Sequence, residues 1–254
     1  MRNFQIFFTR MLLFMLFIGA QLAMSHSWLD SVQVEAKKAV GYIRDFNGRD
    51  KEVDTHNSYL MSSTRVPVCK LNQQSPKNSV SFPRLKAAPG DRVVAFHTEN
   101  GHVSLPATSS SKSGVTYWFG TTNQQEIPTL GDVLEWRDAG EEEDGPGQYL
   151  GASTYDDKKC AEPNQSPISA QRGVGPRGVG KACKDSGFDI PKGLKPGTIF
   201  TVYWVWDFSE HFGLNPNFFE WYSSCLDIDI VLGSGGNGDK PVTGYKAPSR
   251  ARIG

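Results

Sequence analysis

The sequence predicts an all-β protein: an antiparallel β-sandwich of the immunoglobulin or fibronectin-III kind, with long loops. Three observations predict it. Short apolar runs rich in Val, Phe, Tyr and Trp are separated by clusters of Gly, Pro, Asn and Ser. No stretch after residue 25 carries the apolar period of an amphipathic helix of ten or more residues. The run GTIFTVYWVWDF (197–208) is apolar on both alternating faces, as a central strand covered from two sides must be.

Taken in order, residues 1–25 read as a secretory leader. Arg2 and Arg10 are their only charges, an apolar run follows from Met11 to Ala23, and Ala23 and Ser25 supply small residues at the −3 and −1 positions of a peptidase site. The thirteen residues of that run fall short of the roughly 18–20 that span a bilayer, which disfavours an uncleaved anchor. Cleavage after Ser25 makes His26 the first residue of the mature chain. The sandwich is then expected over 26–232. DRVVAFHTENGHVSLP (91–106) reads as two strands around an Asn100-Gly101 turn. Residues 107–196 are read as mostly loop, tied down by Cys160 and Cys183. SSCLDIDIVLG (223–233) alternates apolar and acidic residues, the pattern of a strand with one wet face that Asp227 and Asp229 would share. From Gly233 onward a Gly/Pro/Ser-rich tail to residue 254 carries four basic residues against one acid.

Composition excludes several functions. Without the two leader arginines the mature chain has 25 basic against 27 acidic residues, a net charge of −2, which is no surface for nucleic acid. Four cysteines, Cys69, Cys160, Cys183 and Cys225, read in an exported chain as two disulfides with three possible connectivities. None sits at the CxxC spacing of a zinc site. Asn164-Gln165-Ser166 is a glycosylation sequon. GPRGVGKA (175–182) nearly matches a phosphate-binding loop, but Ala182 stands where the magnesium-binding hydroxyl belongs, so it reads as a glycine-rich surface loop.

The histidines carry the chemistry. A free N-terminal histidine can close a chelate ring on one metal ion through its α-amino group and imidazole Nδ1. A second imidazole then completes a three-nitrogen site that suits copper far better than magnesium or calcium. His97, His102 and His211 are candidates for that imidazole. His97 ends a strand and equally reads as a core histidine. His102 follows the Asn100-Gly101 turn at a sandwich end where ligands converge, and His211 lies on the loop DFSEHFGLNP. His56, in DTHNSYL, reads as a surface histidine.

A mature chain opening HSWLD, then ENGHVSLP, TVYWVWDF and FFEWYSSCLDIDI, resembles the lytic polysaccharide monooxygenases. The resemblance covers roughly 26–106 and 197–232, and the middle loops look closer to small branches that include secreted pectin-active enzymes. It implies a copper ion held by a histidine brace of His26 and His102, with Tyr222 on the axial side. It places Glu220 where the family keeps a Gln or Glu that hydrogen-bonds the oxygen co-substrate. It also implies a structural Cys225 paired with Cys69, leaving Cys160 with Cys183. The activity implied is oxidative cleavage of a polysaccharide by a secreted monomer supplied by an external electron donor and oxygen or hydrogen peroxide. Nucleic acid and, after leader cleavage, membrane are not expected partners. Two rivals stand beside it: a secreted copper-binding protein with the same brace and no oxidase activity, in which an aspartate such as Asp227 often joins the ligands, and a metal-independent carbohydrate-binding sandwich. Asp227 and Asp229 also mimic an acid/base pair, though nothing places a substrate over them.

Overall fold

The structure, a computed structural model, describes residues 27–37, 39–48, 53–105, 113–139, 145–209 and 219–233. The leader, His26, His211 and the tail after Gly233 lie outside the described residues. Two sheets pack face to face as an all-β sandwich. The smaller has the order β2 (Val40–Gly41), β1 (Leu29–Val34), β5 (Arg92–His97), β8 (Cys183–Asp189), antiparallel throughout. The larger runs β3 (Leu60–Met61), β10 (Trp221–Ile230), β9 (Ile199–Asp207), β6 (Val115–Thr121), β7 (Gln148–Thr154), and β4 (Leu85–Ala87) adds a parallel pairing along β10.

The reason β9 is apolar on both faces is visible in its register. Phe200, Val202, Trp204 and Trp206 point between the sheets, where they meet Leu29, Val32, Val93, Trp118, Leu226 and Ile228. Tyr203 and Val205 point the other way, into a second core beneath helix α2 (Leu130–Ala139), whose Leu130, Val133 and Trp136 recur at helical spacing. Cys69–Cys225 crosses this second core and Cys160–Cys183 ties β8 to the segment before it. Both pairings are those the resemblance implies. In the chain-entropy account, a closed loop as long as 69–225 restrains the unfolded chain by about 5 kcal/mol.

Three expectations are corrected. The region 107–196, read as poor in strand signals, carries three strands, β6, β7 and β8, together with α2 and a short helix α3 (Pro167–Gln171), although loops and turns make up most of its described residues. The helix α2 is ten residues long in a stretch whose sequence shows little amphipathic period. Its Thr129-x-x-Asp132 start is a reciprocal cap, in which the Thr129 backbone N–H donates to Asp132 Oδ2 at 2.7 Å and the Asp132 N–H donates to Thr129 Oγ1 at 3.2 Å. Second, the hairpin over 91–106 keeps its first strand, but residues 101–105 form turns instead of a paired strand. Third, Asp227 does not lie on a wet face. It is fully buried against Arg44, which donates Nε to Asp227 Oδ2 at 2.9 Å and Nη2 to Oδ1 at 2.6 Å, while Asp229 pairs with Arg84 at 3.2 Å. The first segments of the chain, 42–46 and 69–73, cover that side of the sheet. Arg44 also donates to the Gln73 carbonyl at 3.1 Å and to Thr201 Oγ1 at 3.1 Å.

Among the described residues, no helix is long and apolar enough to cross a membrane.

Candidate functional site

The turn after β5 is built around one buried carboxylate. Glu99 is fully buried, and its Oε2 accepts the backbone N–H groups of Gly101 at 2.9 Å, Val103 at 2.9 Å and Ser104 at 3.3 Å. Its Oε1 takes the Ser104 hydroxyl and the Glu162 N–H at 2.7 Å. Asn100 and Gly101 both adopt positive φ, 40° and 92°, so the chain folds back on itself and wraps its N–H groups around Glu99. His102, whose own N–H donates to the Glu99 carbonyl at 2.8 Å, is carried at the centre of this turn.

The His102 ring lies in an aromatic cage. Trp206 and Phe208 meet it edge-to-face at 4.6 Å each, and Tyr222 does so at 5.5 Å. Tyr222 in turn stacks on Trp206 at 5.1 Å, and Trp206 stacks on Tyr155 at 3.8 Å with the rings 11° apart. The alternation of β10 turns Tyr222 into the sandwich, while Trp221 lies on the outer face beside Tyr117 and Phe219. Just before the strand, Glu220 shares the inward side: the Tyr222 hydroxyl donates to Glu220 Oε1 at 2.7 Å. Burial pushes the Glu220 carboxyl above its ordinary range, against the lowering effect of the Tyr222 bond. Burial, then the neighbouring carboxylate, pushes the Tyr222 phenol far up, so it stays a neutral hydroxyl.

The N-terminal strand is anchored to the same turn. Ser27 is fully buried, with its hydroxyl donating to the Thr98 carbonyl at 2.8 Å. The Tyr155 hydroxyl reaches Ser27 Oγ at 2.9 Å and the Thr98 carbonyl at 3.0 Å, and Leu29 N donates to Ser224 Oγ on β10 at 3.1 Å. Consecutive Cα atoms are about 3.8 Å apart, so His26 is one residue from a position pinned beside Thr98 and the Glu99 turn.

His102, Tyr222 and Glu220 are therefore brought together, while His26 lies outside the described residues. His97 is elsewhere: fully buried, it donates Nε2–H to the Tyr155 carbonyl at 3.1 Å, and burial holds its imidazole below the usual range. His56 lies on helix α1 (Val53–Asn57), bound to Asp45. The Arg44 fork occupies both Asp227 oxygens, which removes that carboxylate from the available ligands. Asp157, Cys160 and Cys183 also converge, but both sulfurs are spent in the disulfide. The sequon is built into the fold, with Asn164 Nδ2 donating to Ser104 Oγ at 2.9 Å and Ser166 capping α3.

Sequence reasoning missed Glu99, Tyr155, Phe208 and Trp206 as parts of the site. A signal existed for Glu99, because an acid placed directly before Asn-Gly can fold onto the N–H groups that follow. For Tyr155 there was none, since its role depends on contacts with residues far away in the chain.

The chain belongs to a family described as a domain of unknown function (DUF7492), whose model matches residues 23–248. No curated protein matches it. A solved structure titled CvAA9A is similar at 16% identity, covering 84% of this chain and 81% of that one, with a TM-score of 0.44.

Proposed function

We propose that this protein is a secreted copper-dependent enzyme that cleaves a polysaccharide oxidatively, a lytic polysaccharide monooxygenase. The observation that carries the reading is the meeting of His102, Tyr222 and Glu220, with the 2.7 Å bond between the last two, beside an anchored Ser27. Two disulfides suit the oxidising compartment that secretion implies. The donor set fits copper: one imidazole on a rigid turn, and a second with its α-amino group one residue before Ser27 once the leader is cut after Ser25.

In this reading His26 and His102 hold the ion. Copper bound there supplies the one-electron chemistry that activates oxygen or hydrogen peroxide toward a sugar C–H bond. The Glu99 turn fixes the direction of the His102 imidazole, and the aromatic cage keeps water from its flanks. Tyr222, a neutral phenol packed against His102, would bound the site on one side without contributing a charge. Glu220, hydrogen-bonded to Tyr222, would orient the co-substrate without binding the ion.

The copper-carrier reading loses support because Asp227 is committed to Arg44. The test has three parts. N-terminal sequencing of the secreted chain should begin at His26; a start at Ser27 or an intact leader would remove the brace. Copper titration should give one ion per chain, strongly weakened by His102→Ala and barely altered by His97→Ala in folded protein. Glu220→Gln should keep copper and lower the release of oxidised oligosaccharides about 10–100-fold on a panel of pectin, cellulose, xylan and chitin. Copper binding without product on any of them would favour the carrier.

A further inference from the structure

The excursion between β7 and β8 encloses an open cleft of about 810 Å³ lined by Lys158, Lys159, Gln171, Arg172, Gly173 and Lys181. The lining has four cations and no acid. This is a consequence of how the excursion folds its own acids inward. Asp156, with 5% of its side chain exposed, takes a two-pronged bond from Arg172 at 2.7 and 2.8 Å. Asp157 accepts the backbone N–H groups of Lys159 at 2.8 Å, Cys160 at 2.7 Å and Lys184 at 2.9 Å. Arg172 and Asp156 thus cancel, and the outward charge is that of lysines. Lys158 reaches Asp156 at 3.0 Å with 73% of its side chain exposed, and Lys181 donates to the Arg172 carbonyl at 2.5 Å.

The cleft is not a phosphate cradle. The N–H groups of the adjoining glycine-rich loop are spent on helix α3: Gly173 donates to Ala170 at 3.0 Å, Val174 to Ser169 at 2.9 Å and Gly175 to Ser169 at 3.2 Å. What remains is a row of separate ammonium groups with an amide at Gln171, and no aromatic ring in the lining on which a sugar could stack. Such a surface recognises spaced single negative charges among hydroxyls. The excursion is also joined to the site. The Glu162 N–H enters the Glu99 cradle at 2.7 Å, and Asn164 bonds Ser104 at 2.9 Å.

We propose that this cleft binds a carboxylate-bearing polysaccharide, a polyuronate, and holds it alongside the His102 site. The choice of a polymer rests on the polysaccharide reading above; the charge preference rests on the cleft. The lysines act as point charges on an exposed surface, so the binding is sensitive to salt.

The experiment is calorimetry of the full secreted chain, free of copper, with de-esterified polygalacturonate, and with methyl-esterified pectin as the neutral comparison. Binding should appear for polygalacturonate alone and weaken about tenfold or more between 0.05 and 0.5 M salt. The double variant K159E/K181E, at sites with no part in the core, should lose about tenfold or more in affinity. Its unfolding and copper affinity should remain those of the parent. Unchanged binding by the variant would assign the polymer to another surface, such as the basic tail, and overturn the proposal. So would equal binding of methyl-esterified pectin, or displacement of the polymer by millimolar inorganic phosphate. Copper titration of the same samples reads the enzyme assignment separately: polygalacturonate binding without copper binding keeps the cleft and removes the brace.

Discussion

Glu220 and Asp227 stand on the same stretch of chain, one just before β10 and the other within it, and the fold treats them in opposite ways. Asp227 faces the outer side of the larger sheet, sealed beneath 42–46 and 69–73, and both its oxygens are held by the Arg44 guanidinium. Glu220 faces the open end of the sandwich and meets a neutral phenol instead of a cation. One carboxylate is a staple whose charge is balanced inside the protein. The other is part-buried, with its carboxyl pushed upward by that burial and no cation to balance its charge.

The strongest way to break this comparison is to take away the cation. Arg44→Met leaves Asp227 buried without its partner and should cost about 3–5 kcal/mol in denaturant unfolding. The double change Arg44→Met/Asp227→Leu should recover most of it. Glu220→Gln should shift stability far less. Equal losses at the two positions would show that both carboxylates are structural.

A smaller effect is expected at Glu99, a third buried carboxylate, held by N–H groups instead of a cation. Glu99→Gln replaces an acceptor oxygen by a donor against the Glu162 N–H or the 101–104 N–H groups. It should cost about 1.5–3 kcal/mol and loosen the turn. Hydrogen exchange at Gly101, Val103 and Ser104 should quicken, and copper affinity should fall with it. Unchanged exchange at those three amides would refute the cradle.

The smallest effect sharpens the contrast between His97 and His102. Burial lowers the His97 pKa below 6.5, so the unfolded chain takes up its proton first. The stability this neutral imidazole contributes is present above about pH 6.5 and is lost as the pH falls below it. His97→Gln, which keeps a donor for the Tyr155 carbonyl, should flatten the stability profile in that window. A profile identical to the parent's would mean that His97 titrates alike in the folded and unfolded chain, and would refute the effect of its burial.

The fold class, the paired strand β9, the turn at Asn100-Gly101 and the residues His102, Glu220 and Tyr222 could all be read from the chain. Each is announced by local pattern: β-branched and aromatic runs, a turn dipeptide, and the two-residue period that puts Glu220 and Tyr222 on one side. The three strands of the middle region were harder to read, although VTYWF (115–119) is rich in strand formers. Gly120, Gly151 and the buried Asp185 interrupt the alternation of β6, β7 and β8. Asp185 is accommodated only because Thr116, Trp118 and Ser153 from neighbouring strands donate to it at 2.6, 3.0 and 2.6 Å.

By itself the sequence determined the fold class, the strands β5, β9 and β10, where the leader pattern ends and which residue types could meet a metal, because periodicity, turn chemistry and donor identity are local properties. Only the tertiary structure decided which acids are staples and which stand at the site. It joined Arg44 to Asp227 across 183 residues, Tyr155 to Ser27 across 128 and Glu162 to Glu99 across 63. A carboxyl group's charge and reactivity are set by what is packed against it, and for Asp227 the deciding neighbour, Arg44, comes from a distant part of the chain.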